Sequence, residues 1–177
     1  MELREVMQKR KSIRQYLTTP VEEEKVKAMI EAAILAPTWK NAQEIRYYVA
    51  VSEEKRQAVL DALGEGNRKK TQNAPVFLIS AVILNRAGFQ KDGTADNELG
   101  NGWGCYDLGL QNENLILKAK ELGYGTLIMG LRAGDKLREI LSIPETETVM
   151  AVIAIGKAAE EPARPKRKDV EDIVKFY

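Results

Sequence analysis

Residues 76–84, with the sequence VFLISAVIL, are almost entirely apolar and rich in branched side chains. Residues 149–155, VMAVIAI, repeat this composition towards the end of the chain. Short, continuous apolar runs of this kind are typical of strands that are covered on both faces. The two segments therefore predict the central strands of a sheet.

Two long helices are predicted around these strands. Residues 19–22, TPVE, combine a Thr N-cap, a Pro in the first turn and a Glu that could close a capping box. The helix that starts there should end at Ala36, because Pro37 disfavours helical geometry in the residue before it. A second helix is predicted over residues 107–122, with Asp107 as its cap and Gly123 beyond its end.

Shorter elements and one long loop complete the predicted organisation. Residues 45–51 alternate apolar and polar side chains, as a strand with one buried face does. Ser52 is placed to cap a helix that runs to Leu63. Residues 87–104 are rich in Gly, Asp and Asn and predict a mobile excursion, which in a compact domain is typically a lid or a binding loop.

The composition excludes several kinds of catalytic site. The 177 residues include no His and one Cys, Cys105. Without His, the chain alone cannot form a Ser-His-Asp or Cys-His catalytic group or an imidazole metal site. Cys105 has no internal disulfide partner and is expected to be a small buried residue. Difficult chemistry is therefore expected to come from a cofactor.

Length predicts a single domain over residues 1–177, and charge and hydropathy predict a soluble, cytoplasmic protein. The 27 Lys and Arg residues nearly balance the 26 Asp and Glu residues, so the net charge of +1 gives no general attraction for nucleic acid or an anionic membrane. The charged start, residues 1–11, lacks the apolar stretch of a secretory signal. The longest apolar run, residues 74–84, is far shorter than the roughly 20 residues that span a bilayer.

A basic cluster near the start of the chain could bind an anion. Arg10, Ser12 and Arg14 occupy alternating positions, so an extended chain would direct all three side chains to one side. Two guanidinium groups and a hydroxyl on one face suit a phosphate, because Arg binds phosphate through two parallel hydrogen bonds. A solvated basic turn is the alternative interpretation.

Two further segments could face a planar ligand. Asn41 and Gln43 alternate in a polar loop, and their amides offer both donors and acceptors to the edge of a heterocycle. Gly125 and Gly130 flank the strand-like residues 126–129 and would permit close approach of a flat ring. An ordinary polar loop and an ordinary helix-to-strand turn explain the same residues without a ligand.

Taken in order, these segments resemble the nitroreductase family of FMN-dependent oxidoreductases over almost the whole chain. One departure is Glu44-Ile45, where the family usually has Pro-Trp. The resemblance is carried by RKSIRQY at 10–16, APTWKNAQ at 36–43, Asn67 with Lys70, LGYGT at 122–126 continuing to Met129-Gly130, and Arg167-Lys168.

The resemblance implies a fold, an assembly and a set of cofactor contacts. The fold would be α+β, with a central, mostly antiparallel sheet flanked by helices. The protein would form an intertwined homodimer with FMN at the interface, and the extended arm of residues 160–177 would dock on the partner subunit. The implied FMN-binding residues are Arg10, Ser12, Arg14 and Arg167 around the phosphate with the main chain of Lys11, Pro37, Thr38, Asn41 and Gln43 from the second subunit, Asn67 and Lys70 at the pyrimidine edge, and Met129 and Gly130 near flavin N5.

The implied activity is an NAD(P)H-dependent FMN oxidoreductase. Hydride would pass from NADH or NADPH through flavin N5 to an electron-poor acceptor, such as a nitroaromatic or a quinone, in a ping-pong cycle. No side chain is expected to act as an essential acid or base, and no metal is expected. Positive groups such as Arg14 or Lys70 near the ring edge would stabilise the negative charge of the reduced flavin.

Three alternatives share parts of these observations. An FMN storage or sensor protein with little turnover would use the same binding residues, and a dehalogenase-type relative would reuse the same scaffold. Nucleic-acid binding through the basic residues 9–14 and 164–168 is disfavoured, because the net charge is near zero and no aromatic-rich platform accompanies those residues.

Overall fold

The computed structural model describes residues 2–177 and contains one four-stranded antiparallel sheet among those residues. The strand order is β1-β2-β4-β3, so the two apolar segments form the centre of the sheet as predicted. The elements are α1 Leu3–Lys9, α2 Glu23–Ile34, β1 Ile45–Ala50, α3 Glu53–Asp61, α4 Glu65–Thr71, β2 Val76–Ile83, α5 Gly102–Glu121, β3 Gly125–Met129, α6 Gly134–Leu141 and β4 Glu147–Gly156, with short 3-10 turns at Trp39–Asn41 and Val170–Asp172.

Helices cover both faces of the sheet. Phe77 of β2 belongs to an apolar cluster with Leu137 of α6 on one face. The next residue, Leu78, points to the other face and packs in a cluster with Met29 of α2 and Leu115 of α5. This layering explains why β2 has no polar face, and it confirms the expected α+β class.

Two predicted helix starts are wrong. Thr19 is exposed and caps no helix, since α2 begins at Glu23 after an extended Glu22. The helix α5 begins at Gly102, so Asp107 is buried inside it instead of capping it, and the excursion is shorter than predicted. The helix α5, with 20 residues, is longer than α2, with 12. The Ser52 cap is confirmed, because its Oγ accepts the Lys55 N–H at 3.2 Å.

The N-terminal segment runs beside β3 at one edge of the sheet. The Ile13 N–H donates to the Thr126 carbonyl at 2.9 Å, and the Leu17 N–H donates to the Lys157 carbonyl at 2.9 Å. The Tyr16 hydroxyl donates to the Ile13 carbonyl at 2.8 Å, and burial raises the pKa of Tyr16 so that it stays neutral. The sheet edge therefore fixes the backbone that carries Arg14.

Gly125→Ala is expected to destabilise this edge. A Cβ at Gly125 would lie 2.9 Å from the Ile13 Cβ, which is closer than packed carbons approach. Overpacking of this kind costs about 1–3 kcal/mol of unfolding free energy, measurable by urea unfolding. Gly109→Ala in α5 is the matched control, because nothing lies within 4 Å of its added Cβ. Equal unfolding free energies for the two variants would contradict the prediction.

The chain ends in a mostly exposed arm over residues 160–177. Its base lies along the N-terminal segment, where Arg164 Nη1 donates to the Gln8 carbonyl at 2.7 Å and Lys11 Nζ lies 2.6 Å from Glu161 Oε1. Among residues 2–177, no helix combines the length and the apolar character needed to cross a membrane.

Candidate functional site

The basic side chains near the start of the chain lie in two different surroundings. Arg10 and Lys11 line a small cavity of about 40 Å³ next to β3, where Arg10 Nε lies 3.9 Å from Glu113 Oε1 of α5. Ser12 is half-buried, and its backbone forms a bridge to Thr126. Arg14 is exposed and faces a different cleft. The structure therefore separates Arg10 from Arg14 within one chain.

Arg14 and Lys70 meet in a cleft of about 310 Å³. Lys69 also lines this cleft, but its Nζ is paired with Glu65 Oε1 at 2.6 Å. No carboxylate of residues 2–177 lies within ion-pair distance of Arg14 or Lys70. The Arg14 guanidinium donates a hydrogen bond to the Ser12 carbonyl at 3.2 Å. Two cations without carboxylate partners in one cleft suit an anionic ligand.

Asn67 lies on α4 with Lys70, and its side chain reaches the backbone that follows β3. Asn67 precedes Lys70 by three residues on α4, so both side chains lie on the same side of that helix. The Asn67 side-chain amide donates to the Leu131 carbonyl at 3.3 Å. Met129 is buried, whereas Gly130 is exposed and would have nothing within 4 Å of an added Cβ. The backbone at Gly130 is therefore open to a flat ligand.

The second predicted segment lies at the opposite edge of the sheet. Pro37 is exposed just after α2, and Thr38, Asn41 and Gln43 line a cavity of about 290 Å³ beside the start of β1. Three strand spacings, about 14 Å in all, separate β1 from β3. These residues therefore do not join the Arg14 cleft within one chain.

The backbone of the loop of residues 38–43 is strained, and hydrogen bonds within the loop and to α5 hold it in place. Lys40, Asn41 and Gln43 have φ values of 47°, 56° and 50°, the left-handed region that disfavours residues with a Cβ. Such residues cost on the order of 1–3 kcal/mol each. The Gln43 N–H donates to Thr38 Oγ1 at 3.2 Å, and the Trp39 N–H donates to Asp107 Oδ2 of α5 at 2.6 Å.

Aromatic residues tie this loop to the excursion between β2 and α5. The rings of Trp39 and Trp103 lie 4.4 Å apart, and Trp39 Nε1 donates to Asp96 Oδ2 at 3.2 Å. Lys40 Nζ lies 2.8 Å from the same carboxylate. Tyr106 stays exposed with its ring 5.8 Å from that of Trp103. The tryptophans thus pack between two loops.

Glu44 is a candidate functional residue that was not predicted from the sequence. Its side chain is fully buried, and neither carboxyl oxygen has a hydrogen-bond partner among residues 2–177. Burial, which is the largest cause, and the neighbouring Asp107 carboxylate together raise the pKa of Glu44 to about 7, against the opposing effect of Arg86. The only sequence signal was that Glu44 stands where the resembling family usually has Pro.

Within one chain, Arg167 lies apart from the other predicted phosphate-binding arginines, and Cys105 is not buried. Arg167 is exposed, and its guanidinium donates to its own arm, to the Pro165 carbonyl at 3.3 Å, rather than meeting Arg10 or Arg14. The prediction that Cys105 is buried is wrong, because α5 starts early enough to place Cys105 on the exposed side of its first turn.

Comparison with known proteins identifies the family of this fold. The nitroreductase family model matches residues 7–157. An FMN reductase [NAD(P)H] from Bacillus subtilis (strain 168) is 28% identical over 172 residues, which cover 92% of this chain and 68% of that protein. A nitroreductase family protein from Streptococcus pneumoniae TIGR4 has the same fold, with a TM-score of 0.87 and 20% identity over 99% of this chain and 100% of that one. A solved oxidoreductase containing FMN is 26% identical with a TM-score of 0.80, covering 96% of this chain and 89% of that chain.

The matched residues include Arg14, Lys70 and the loop of residues 38–43, and leave out the arm that carries Arg167. The match covers well over half of the chain, and the sheet and helices agree with those of solved family proteins. The chain therefore belongs to the nitroreductase family.

Proposed function

We propose that this protein is an FMN-dependent oxidoreductase that passes hydride from NADH or NADPH to an electron-poor acceptor such as a nitroaromatic or a quinone. The observation that carries the proposal is the cleft in which Arg14 and Lys70 lie without carboxylate partners among residues 2–177, with Asn67 three residues before Lys70 on α4. The relatives named as an FMN reductase and as an FMN-containing oxidoreductase support the choice of cofactor.

The residues around the cleft fit FMN chemically. When bound, FMN supplies hydride transfer at its N5 between the nicotinamide and the acceptor. Lys70 and Asn67 would hold the anionic, hydrogen-bonding edge of the ring, and the positive charges would stabilise negative charge that develops there. The proposed FMN-binding residues are Arg10, Lys11, Ser12, Arg14, Pro37, Thr38, Asn41, Gln43, Asn67, Lys70, Met129, Gly130 and Arg167.

A homodimer is part of this proposal, because the two groups of proposed binding residues lie at opposite edges of the sheet. A second subunit would bring Thr38, Asn41 and Gln43 to the cleft of the first. An apolar surface supports such an assembly: Leu3 of α1 and Leu35, just after α2, line one surface cavity and are 67% and 82% exposed. Exposed apolar side chains that lie together favour contact with another protein surface.

The proposed reaction order is ping-pong. The nicotinamide and the acceptor would use the same open surface beside Gly130 in turn, and no side chain is assigned as an acid or a base. The protein binds and orients the cofactor and excludes competing reactions. The single proposed domain spans residues 1–177 and includes the arm of residues 160–177.

The test is a visible spectrum of the purified protein under nitrogen, before and after NADH or NADPH is added. Flavin absorbance that is bleached by either nucleotide and restored by a quinone supports the proposal. Protein that is colourless and gains no flavin absorbance on incubation with FMN overturns it. Coloured protein that neither nucleotide bleaches favours storage or sensing of FMN instead.

Removal of the arm after Glu161 is expected to weaken both the dimer and the retention of FMN. The arm exposes apolar residues, with Ile173 73% and Phe176 90% accessible, and it carries Arg167. These groups gain cover only from another surface, for which a partner subunit is proposed. Size-exclusion chromatography with absorbance detection reads both effects, and removal of Tyr177 alone is the control. A truncated protein that elutes as a flavin-loaded dimer contradicts this role.

A further inference from the structure

We propose that Glu44 is a positioning residue: its buried carboxyl group donates a proton to the Asp107 carboxylate, and Asp107 in turn holds the loop of residues 38–43 in its binding geometry. This inference rests on the proposed function, in which that loop contacts FMN. It goes beyond that function because it assigns the buried carboxyl pair a role in controlling the site.

The first observation is the burial of Glu44 directly after Gln43, the last residue of the loop. Both of its carboxyl oxygens are buried without a hydrogen-bond partner among residues 2–177. An added Cβ at Gly104 of α5 would lie 3.9 Å from Glu44 Oε1 and 2.6 Å from Val82 Cγ1, so these groups enclose the carboxyl closely. A carboxyl group in such surroundings keeps its proton to a higher pH than one in water.

The second observation is the bond between Asp107 and the loop. Asp107 Oδ2 accepts the Trp39 N–H at 2.6 Å, and Asp107 itself is buried. Asp107 follows Gly104 by three residues on α5, so its side chain lies on the side of the helix that faces Glu44. A protonated Glu44 can therefore donate to the Asp107 carboxylate, which keeps its bond to the Trp39 N–H. Once Glu44 ionises, two buried carboxylates repel each other, and the contact between Asp107 and the loop is disturbed.

The other charged groups near Glu44 do not cancel the effect of burial and Asp107 on its protonation. Arg86, just after β2, favours the ionised form of Glu44, but burial and Asp107 outweigh it and hold the Glu44 pKa at about 7. Asp96 of the excursion is already engaged by Lys40 at 2.8 Å. Arg46 of β1 donates to the carbonyls of Gln43 and Ile45 rather than to a carboxylate.

The loop of residues 38–43 can respond to the ionisation of Glu44 because its backbone is strained. Three of its residues have left-handed φ values, so its geometry depends on the outside contacts that hold it. The chain contains two tryptophans, Trp39 and Trp103, and they pack against each other at this loop. A change in the Asp107 contact therefore moves one tryptophan against the other.

Fluorine NMR of the purified protein, labelled with 5-fluorotryptophan and carrying its bound FMN, tests the inference. Both resonances, assigned with Trp39→Phe, are expected to shift between about pH 5 and pH 9 with a common midpoint near the Glu44 pKa of about 7. In Glu44→Gln both resonances should stay at the low-pH positions. Glu98→Gln, an exposed residue of the excursion, is the matched control and should titrate like the unchanged protein.

Resonances that do not shift in the unchanged protein, or that still shift in Glu44→Gln, overturn the inference. Asp107→Asn is a second variant, and its midpoint should fall because the neighbouring charge is gone. If Glu44→Gln does not fold, infrared absorption of the unchanged protein tests the inference instead. A protonated carboxyl group near neutral pH is expected to give its own carbonyl band. Absence of that band also overturns the inference.

An FMN titration of the same samples separates this inference from the proposed function. FMN affinity is expected to be roughly three- to tenfold weaker above the transition, the loss of about one hydrogen bond. Fluorine shifts with unchanged FMN affinity overturn the positioning role. Protein that never binds FMN but shows the fluorine transition overturns the proposed function and supports the coupling between Glu44 and the loop.

Discussion

Arg14→Ala is expected to weaken FMN binding by about 1.5–3 kcal/mol, the contribution of a hydrogen bond to a charged group, or roughly 10- to 150-fold in the dissociation constant. The reason is that Arg14 and Lys70 share one cleft and have no carboxylate partner among residues 2–177. An anionic ligand there can pair with both cations without first breaking an internal ion pair.

Titration of FMN into the variant protein, followed by flavin fluorescence, measures the effect. Arg68→Ala is the matched control: it removes an Arg from α4, but Arg68 is already paired with Asp61 at 3.0 Å and does not line the cleft. Lys70→Ala should weaken binding as Arg14→Ala does, and the double variant need not be additive, since both cations face one ligand. Equal FMN affinity in Arg14→Ala and the unchanged protein would show that the anion binds elsewhere.

The centre of the fold could be predicted from the sequence because burial dictates composition there. A strand covered on both faces needs apolar residues throughout, and β2 has them from Val76 to Ile83 with the single exception of Ser80. The same reasoning predicts β4, because residues 149–155 are also almost entirely apolar. Elements at the edges of the fold depend on what packs against them, and a single chain segment does not reveal its neighbours.

The two wrong helix starts illustrate that dependence. Thr19 has the side chain of an N-cap, but Val21 packs against the cluster of α2 and α5, which keeps the chain extended as far as Glu22. Gly102 and Gly104 looked like a loop, yet Gly104 belongs to α5, because only a residue without Cβ lets that helix approach Val82 so closely. Tertiary packing outweighs local preference in both places.

The candidate site was predictable in its residue types but not in its arrangement. Alternation at Arg10 and Arg14 indicated an anion site, whereas the structure gives the two side chains different cavities. The order of the strands then puts the loop of residues 38–43 at the far edge. Glu44 was noticed as a departure from the family pattern, but its contact with Asp107 arises only when α5 packs over β1 and β2.

Glu44→Gln is expected to raise the free energy of unfolding by about 2–3 kcal/mol more at about pH 8 than near pH 5. The Glu44 pKa is about 7 in the folded protein, above its ordinary value of 4.5. Between these two values the folded protein keeps a proton that the unfolded chain has released. The unchanged protein therefore loses stability as the pH rises from 4.5 to 7, whereas an amide at this position, which does not ionise, avoids that loss.

Urea unfolding of both proteins at the two pH values measures the difference, which corresponds to roughly 4–12 °C in melting temperature for a domain of this size. Glu98→Gln controls for the general effect of removing a carboxylate, because Glu98 is exposed and should leave the pH dependence unchanged. A stability gain of the same size at both pH values would contradict the proton-linked explanation. Such a result would mean that the amide simply packs better than the carboxyl group, whereas a gain confined to the higher pH requires that Glu44 carries its proton into the folded state.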